Sequence, residues 1–122
     1  MDRRAIGRRA EDAVAAHLVA RGFSVLARNL RLGALELDLV VRQGPLVAIV
    51  EVRTRGRGSF TGPFASVTHE KQRRLLRAAD RLWRDKLRGM PDVARVRIDV
   101  AAVTFDGDVA KIEYHAGAIV GG

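Results

Sequence analysis

The 122-residue chain has no cysteine, only three prolines and few aromatic residues, which make up 5% of it. The absence of cysteine excludes disulfides, thiolate zinc sites and cysteine nucleophiles. No apolar run approaches the roughly 18 residues that span a bilayer. The basic start of the chain is not followed by the apolar segment of a signal peptide. We therefore expect a cytoplasmic protein with no membrane partner.

Acidic residues are outnumbered by basic ones, 14 against 22, which gives a formal net charge of +8. Such a surplus favours a polyanionic partner, and nucleic acid, DNA in particular, is the expected one. A lineage that favours arginine is the alternative explanation. The hydrophobic content of 48% is enough for one packed core, so residues 1–122 are expected to form a single domain.

Apolar spacing predicts helices at residues 4–20 and 68–87. Alternating or continuous apolar runs predict strands at 23–29, 35–42, 46–53, 95–105 and 111–115. The order is helix, three strands, helix, two strands. It predicts an α/β fold with a mixed sheet flanked by helices.

The second predicted helix carries arginines at spacings of 4, 4, 3 and 4, which places them on one exposed face. They are Arg73, Arg77, Arg81, Arg84 and Arg88. Arg55 and Arg57 flank the start of a glycine-rich loop at 56–62. Both features are expected to hold a nucleic-acid backbone without reading its sequence. A solvated helix surface and an ordinary long connection are the alternatives.

Three acids interrupt the most apolar part of the chain, ELDLVVRQGPLVAIVEVR: Glu36, Asp38 and Glu51. Pairing residue 42 with 47 sets Asp38 opposite Glu51, and pairing 36 with 51 sets Asp38 diagonal to it. A three-residue loop instead places the acids on opposite faces. Opposed carboxylates repel, so either Arg42 or Arg53, or a bound metal ion, must offset the charge. A solvated polar face is the alternative.

Strict alternation places two sets of residues on opposite faces of the strand at 35–42. One set is Leu35, Leu37, Leu39 and Val41, and the other is Glu36, Asp38, Val40 and Arg42. Glu11 is a fourth acid, at the edge of the apolar stripe of the first helix, one turn after Gly7. It is expected either to join the site or to act as an acid favoured by the helix dipole.

The order of these motifs resembles the YraN-type family of small endonuclease-like proteins. That family lies within the PD-(D/E)xK nuclease superfamily and is related by fold to archaeal Holliday-junction resolvases. The motifs are GRRAEDAV at 7–14, Asn29, ELDL at 36–39, VEVRTR at 50–55 and the segment 67–71. The resemblance extends from about residue 6 to 103.

This resemblance implies a restriction-endonuclease-like α/β/α core that binds Mg²⁺ or Mn²⁺. By analogy, Asp38, Glu51 and the backbone carbonyl of Val52 ligate the metal, Glu11 completes the site, and Glu36 is an auxiliary acid. The implied activity is hydrolysis of phosphodiester bonds in DNA, including branched or structured DNA. A homodimer is expected if two strands are cut symmetrically.

One position departs from the superfamily pattern, because Arg53 stands where a lysine is usual. An arginine stays protonated and cannot act as a general base, although it can stabilise negative charge. Lys71 is expected either to supply the missing ammonium or to be an ordinary solvated helix residue. The alternative function is a nucleic-acid-binding module that retains the fold without catalysis. A structural protein whose acids form only salt bridges is a third.

Overall fold

The computed structural model describes residues 2–55 and 67–121, so the predicted loop with Arg57 lies outside the described residues. The helices are α1 (Arg3–Val19) and α2 (His69–Leu82), the latter followed by a π-helical segment (Trp83–Leu87). The strands are β1 (Ser24–Leu32), β2 (Leu35–Gln43), β3 (Leu46–Thr54), β4 (Arg95–Asp106) and β5 (Val109–Ile119). Each predicted helix and strand is present, and β1 and β5 are longer than expected.

The five strands form one mixed sheet in the order β1-β2-β3-β4-β5. Strands β3 and β4 pair in parallel, and the other neighbours pair antiparallel. A parallel pair needs a crossover connection, and α2 lies within it. One buried cluster joins the sheet to α2, and a second joins it to α1. The predicted α/β/α class, a mixed sheet flanked by helices, is confirmed.

Helix α1 begins at a capped end and buries one stripe. The Asp2 carboxylate accepts a hydrogen bond from the backbone N–H of Ala5 at 2.8 Å. The buried residues Ala10, Val14 and Leu18 recur at spacings of four and pack against the sheet. The helix therefore presents a fixed edge, on which Glu11 lies, to the neighbouring strands.

Helix α2 is capped by Thr68, whose hydroxyl accepts from the N–H of Lys71 at 3.1 Å. The helix predicted at residues 68–87 is present, and its last turn is π-helical rather than α-helical. Leu82 and Leu87 are both buried in the same cluster, although they are five residues apart. A π turn brings residues at that spacing to one side of the axis, whereas an α turn separates them.

The β2–β3 hairpin has the register that pairs Arg42 with Val47, one of the three that the sequence allowed. The predicted face pattern of β2 is wrong. Leu35 and Leu37 belong with Val40 on the α2 side, whereas Leu39 belongs to the α1 cluster. The strand therefore switches faces around residue 38, which strict period-two alternation does not anticipate.

Candidate carboxylate site

Asp38 lies where β2 and β3 separate. The last paired residues of the β2–β3 ladder are Leu39 and Val50. One step further on, the Asp38 carboxylate accepts the Val52 N–H at 2.8 Å, in place of a backbone carbonyl. The N–H and C=O of a strand residue point toward the same neighbouring strand. The Val52 carbonyl is therefore directed into the same gap as the Asp38 carboxylate.

Glu51 is the second acid of the gap, and its side chain is only 3% exposed. Two cations approach one of its oxygens, Oε1: Arg53 Nη1 at 3.3 Å and Lys71 Nζ at 3.7 Å. Lys71 precedes Leu75 by four residues at the start of the buried stripe of α2. The expectation of an ordinary solvated Lys71 is therefore wrong, since its ammonium faces the acidic pair.

Burial sets the protonation of this pair. Loss of hydration, and then the charge of Asp38, raise the pKa of Glu51 to about 7, against the partial compensation of Lys71 and Arg53. Burial also raises the pKa of Asp38, although the hydrogen bond from Val52 opposes the shift. Near neutral pH Glu51 is therefore only partly ionised, although two cations lie against it. Two carboxylates and a carbonyl are hard oxygen donors, which suit Mg²⁺ or Mn²⁺.

A second buried acid, Asp99, has its negative charge compensated by several hydrogen-bond donors. Asp99 is completely buried and accepts hydrogen bonds from Nε and Nη2 of Arg97, at 2.7 and 3.0 Å. It also accepts the Tyr114 hydroxyl and the Gly117 N–H. Burial and the neighbouring Asp99 raise the pKa of Tyr114 far above its usual value. Asp99 is therefore a structural acid held by four donors, whereas Glu51 is repelled by its neighbour.

Glu11 lies on the α1 side of the site and is half-buried. Burial, and then the charge of Asp38, raise its pKa. However, no group of three or more His, Cys, Asp or Glu side chains in residues 2–55 and 67–121 is placed to hold a metal ion. The expected three-acid set of Glu11, Asp38 and Glu51 is therefore not assembled there, and Asp38 and Glu51 form a pair.

Asn29 also lies at the site, although the sequence predicted no role for its side chain there. It opposes Asp38 in the β1–β2 register, between the pairs Arg28–Leu39 and Leu30–Leu37. Its backbone has φ +50°, a left-handed conformation that asparagine tolerates better than most residues.

The amide of Asn29 links two acids that flank Asp38. With its nitrogen facing the carboxylates, it donates to Glu11 Oε1 at 3.2 Å and to Glu36 Oε1 at 3.1 Å. Glu36 is exposed, and its other oxygen lies 3.8 Å from Arg31. Glu36 therefore lies at the rim of the site, and Asn29 holds Glu11 beside it. A lone asparagine in an apolar strand was the one available signal for this role.

The arginines expected to bind nucleic acid differ in their exposure and in their ion pairs. Arg73 and Arg77 are exposed. Arg81 pairs with Asp85 at 3.4 Å, and Arg55 pairs with Glu113 at 3.4 Å. A cleft of about 270 Å³ between α2 and the β1–β2 turn is lined by arginines. They are Arg74, Arg77 and Arg81.

Fold and site together define an α/β/α protein with an acidic pair, half-buried Asp38 and buried Glu51, at the point where two strands of its sheet separate. The chain belongs to Uncharacterised protein family UPF0102, the YraN family, whose model matches residues 10–103. It is 52% identical over 103 residues to the UPF0102 protein sce2912 of Sorangium cellulosum, across 84% of this chain and 72% of that protein. It is 43% identical over 110 residues to a UPF0102 protein of Alkalilimnicola ehrlichii, across 90% and 84%.

Among solved structures, the chain is similar to that of Pyrococcus furiosus SfsA in complex with Ca²⁺. The TM-score is 0.44 and the identity is 17%, over 94% of this chain and 64% of that one. Within the part of the chain that the structure describes, no helix is long and apolar enough to cross a membrane.

Replacing Lys71 tests the electrostatics of the acidic pair. In Lys71→Met the nearby ammonium is lost while the aliphatic stem is kept, so the pKa of Glu51 should rise further above 7. NMR titration of the Glu51 carboxyl carbon measures the change, with Lys86→Met, an exposed lysine of the π-helical segment, as the control. An unchanged Glu51 titration in Lys71→Met would show that the ammonium does not act on the pair.

Proposed function

We propose that the protein is a metal-dependent endonuclease that hydrolyses phosphodiester bonds of DNA, branched or structured DNA included. The observation that carries the proposal is the pair of half-buried Asp38 and buried Glu51, with Lys71 and Arg53 against one oxygen of Glu51. A carboxylate with a strongly raised pKa next to cations, as Glu51 is, is typical of catalytic sites. The resemblance of the YraN family to nucleases also supports the proposal. The positive net charge of +8 favours a polyanionic substrate.

In this proposal Asp38, Glu51 and the Val52 carbonyl hold Mg²⁺ or Mn²⁺. When bound, such an ion polarises a phosphate oxygen and lowers the pKa of an attacking water. The donor set fits because it is made only of oxygens, and because the two carboxylates repel each other when both are charged. Binding of such an ion would favour the ionised form of Glu51, and the proton that Glu51 holds at its raised pKa would be released to solvent.

The remaining polar groups have separate roles. Arg53 stays protonated and offers a guanidinium for a phosphate oxygen, but it cannot accept a proton. Lys71 supplies the ammonium that the superfamily pattern places at residue 53, and it stabilises charge that develops on the phosphate. Glu11, with a raised pKa, is the carboxylate available to accept a proton from the attacking water. Glu36 acts at the rim, through Asn29.

A nucleic-acid-binding module without catalysis is the second candidate function. It is favoured by the Arg53–Glu51 ion pair of 3.3 Å, which neutralises part of the acidic charge without any metal. It is also favoured by the lack of a third converging acid within residues 2–55 and 67–121. In both functions the substrate is held chiefly through its phosphates.

The test is a cleavage assay on linear, nicked and four-way-junction DNA with Mg²⁺, with Mn²⁺ and with a chelator. The endonuclease proposal predicts cleavage with metal and none with chelator. Salt-sensitive binding without cleavage in any metal selects the binding module. The lack of both binding and cleavage contradicts both candidates. Because symmetric cutting of two strands requires a C2 pair, the oligomeric state should be measured on the same samples.

A further inference from the structure

We propose that the cleft between α1 and β1, on the α1 side of the carboxylate site, is the subsite that holds the phosphate backbone next to the reacting phosphate. The inference rests on the proposed function for its choice of ligand, a DNA strand. It differs from the sequence prediction, which assigned backbone binding to the arginines of the second helix and of the glycine-rich loop that precedes it.

The cleft lies directly beside the carboxylate site. It has a volume of about 570 Å³, and its lining includes Arg8, Arg9 and Arg28 together with Glu11 and Asn29. Glu11 and Asn29 also belong to the carboxylate site, so a strand in the cleft continues directly to the acidic pair. The α2 cleft shares no lining residue with the site.

The charge pattern of α1 is the second argument. Arginines at positions 3, 4, 8 and 9 lie within its first two turns, and no acidic residue lies in its first turn. Arg3 and Arg4, in the first turn, oppose the helix dipole, and the Asp2 carboxylate at the N-cap offsets part of their charge. Sequences break such local rules mainly where function requires it. Arg8 and Arg9, in the second turn, line the cleft and favour an anionic ligand.

Arginines of α2 and of the π-helical segment form ion pairs within their own helix, whereas Arg28 in the α1 cleft pairs across from β1 to α1. Three of the helical arginines have a carboxylate one turn away: Arg74 with Glu70, Arg81 with Asp85, and Arg84 with Asp80. Such i,i+4 pairs are typical of a solvated helix surface.

In the α1 cleft, the arginines are placed for an incoming anion. Arg28 pairs with the exposed Asp12 at 2.6 Å, and Arg9 lies over the Phe105 ring at 4.4 Å. Arg8 is exposed at the cleft. A phosphate can therefore engage Arg8 and Arg28 without breaking a buried ion pair.

Gly7 is the third argument. It lies inside α1, where glycine is unfavourable relative to alanine. A Cβ built on Gly7 would meet no atom within 4 Å in the described part of the chain, so internal packing there does not require the glycine. Gly7 precedes Glu11 by one turn. Gly7 is not itself among the lining residues of the cleft, but it lies in sequence between the lining residues Ala5 and Arg8, where a bare backbone leaves room for a strand to pass close to the helix.

The experiment is fluorescence anisotropy with a labelled DNA duplex in chelator, so that binding is measured without cleavage. We expect Arg8→Ala and Arg28→Ala each to weaken binding about fivefold or more. Each lost phosphate contact should also make the slope of log K against log salt less negative by about 0.9. Arg95→Ala is the charge-matched control, because Arg95 is exposed at the opposite end of the sheet, where it pairs with Leu46. It should leave affinity and slope unchanged.

Gly7→Ala separates ligand contact from folding. It should raise the Tm, because alanine is the better helix former, while it weakens DNA binding. Unchanged binding in Arg8→Ala and Arg28→Ala, equal weakening in Arg95→Ala, or no DNA binding by the wild-type protein would each overturn the inference. A protein that binds through these arginines but never cleaves would retain the subsite and refute only the nuclease activity.

Discussion

Under the proposed endonuclease function, Asp38→Asn is expected to lower metal-dependent DNA cleavage about a thousandfold, the upper end of the loss seen when one key electrostatic group is removed. The amide keeps an oxygen that can accept the Val52 N–H, which Asp38 accepts at 2.8 Å. The separation of β2 and β3 should therefore be retained. What disappears is the negative charge that completes the oxygen donor set with Glu51. The measurement is the single-turnover cleavage rate with Mn²⁺.

The matched control for that variant is Asp108→Asn, which removes an exposed acid from the β4–β5 turn. It should cleave DNA at the wild-type rate. Circular dichroism and Tm values should show that both variants are folded. Cleavage by Asp38→Asn at a rate close to that of the control would mean that the activity arises elsewhere on the chain or from a contaminant.

Glu51→Gln is expected to make the metal-free protein more stable at about pH 8 by on the order of 2–3 kcal/mol, a Tm gain of about 5–15 °C. The pKa of Glu51 rises from 4.5 to about 7 on folding, chiefly through burial and then through the charge of Asp38. Between these two values the folded state binds more protons than the unfolded state. The stability of the wild type therefore falls as the pH rises through that window.

Glutamine mimics the protonated form of Glu51, so the gain should be complete above about pH 7 and vanish below about pH 4.5. Thermal melts of both proteins across this range, in chelator, measure it. Glu70→Gln, which removes an exposed acid paired with Arg74, is the control and should change stability by less than about 1 kcal/mol. If the gain in stability of Glu51→Gln did not change with pH, folding would not raise the pKa of Glu51, which would contradict this prediction.

The helices and strands could be predicted from the sequence, because they depend on local patterns. A continuous apolar run predicted β3, and the helical spacing of apolar residues predicted α1 and α2. The position of Asp38 opposite Glu51 required a choice among hairpin registers, which depends on where the turn closes. The structure selects the register that pairs Arg42 with Val47.

The details that the sequence missed depend on tertiary geometry. The face switch of β2 arises around Asp38, opposite Asn29, which has φ +50°. Period-two alternation assumes a regular strand and cannot locate such an irregularity. The sequence left open whether Lys71 contacts Glu51, because that contact depends on how α2 crosses the sheet. The α1 cleft was missed because it depends on how α1 packs against β1, the strand that follows it, which helical and strand periodicity do not specify.

The most direct test of the account is isothermal titration of the chain with Mn²⁺ near neutral pH in buffers of different ionisation enthalpy. The account predicts saturable binding at a single site, accompanied by proton release because Glu51 has a pKa of about 7 without metal. It also predicts that Asp38→Asn and Glu51→Gln each abolish this binding, whereas Glu70→Gln retains it. Absence of binding by the wild type, or undiminished binding by both site variants, would contradict the assignment of Asp38 and Glu51 as a metal site.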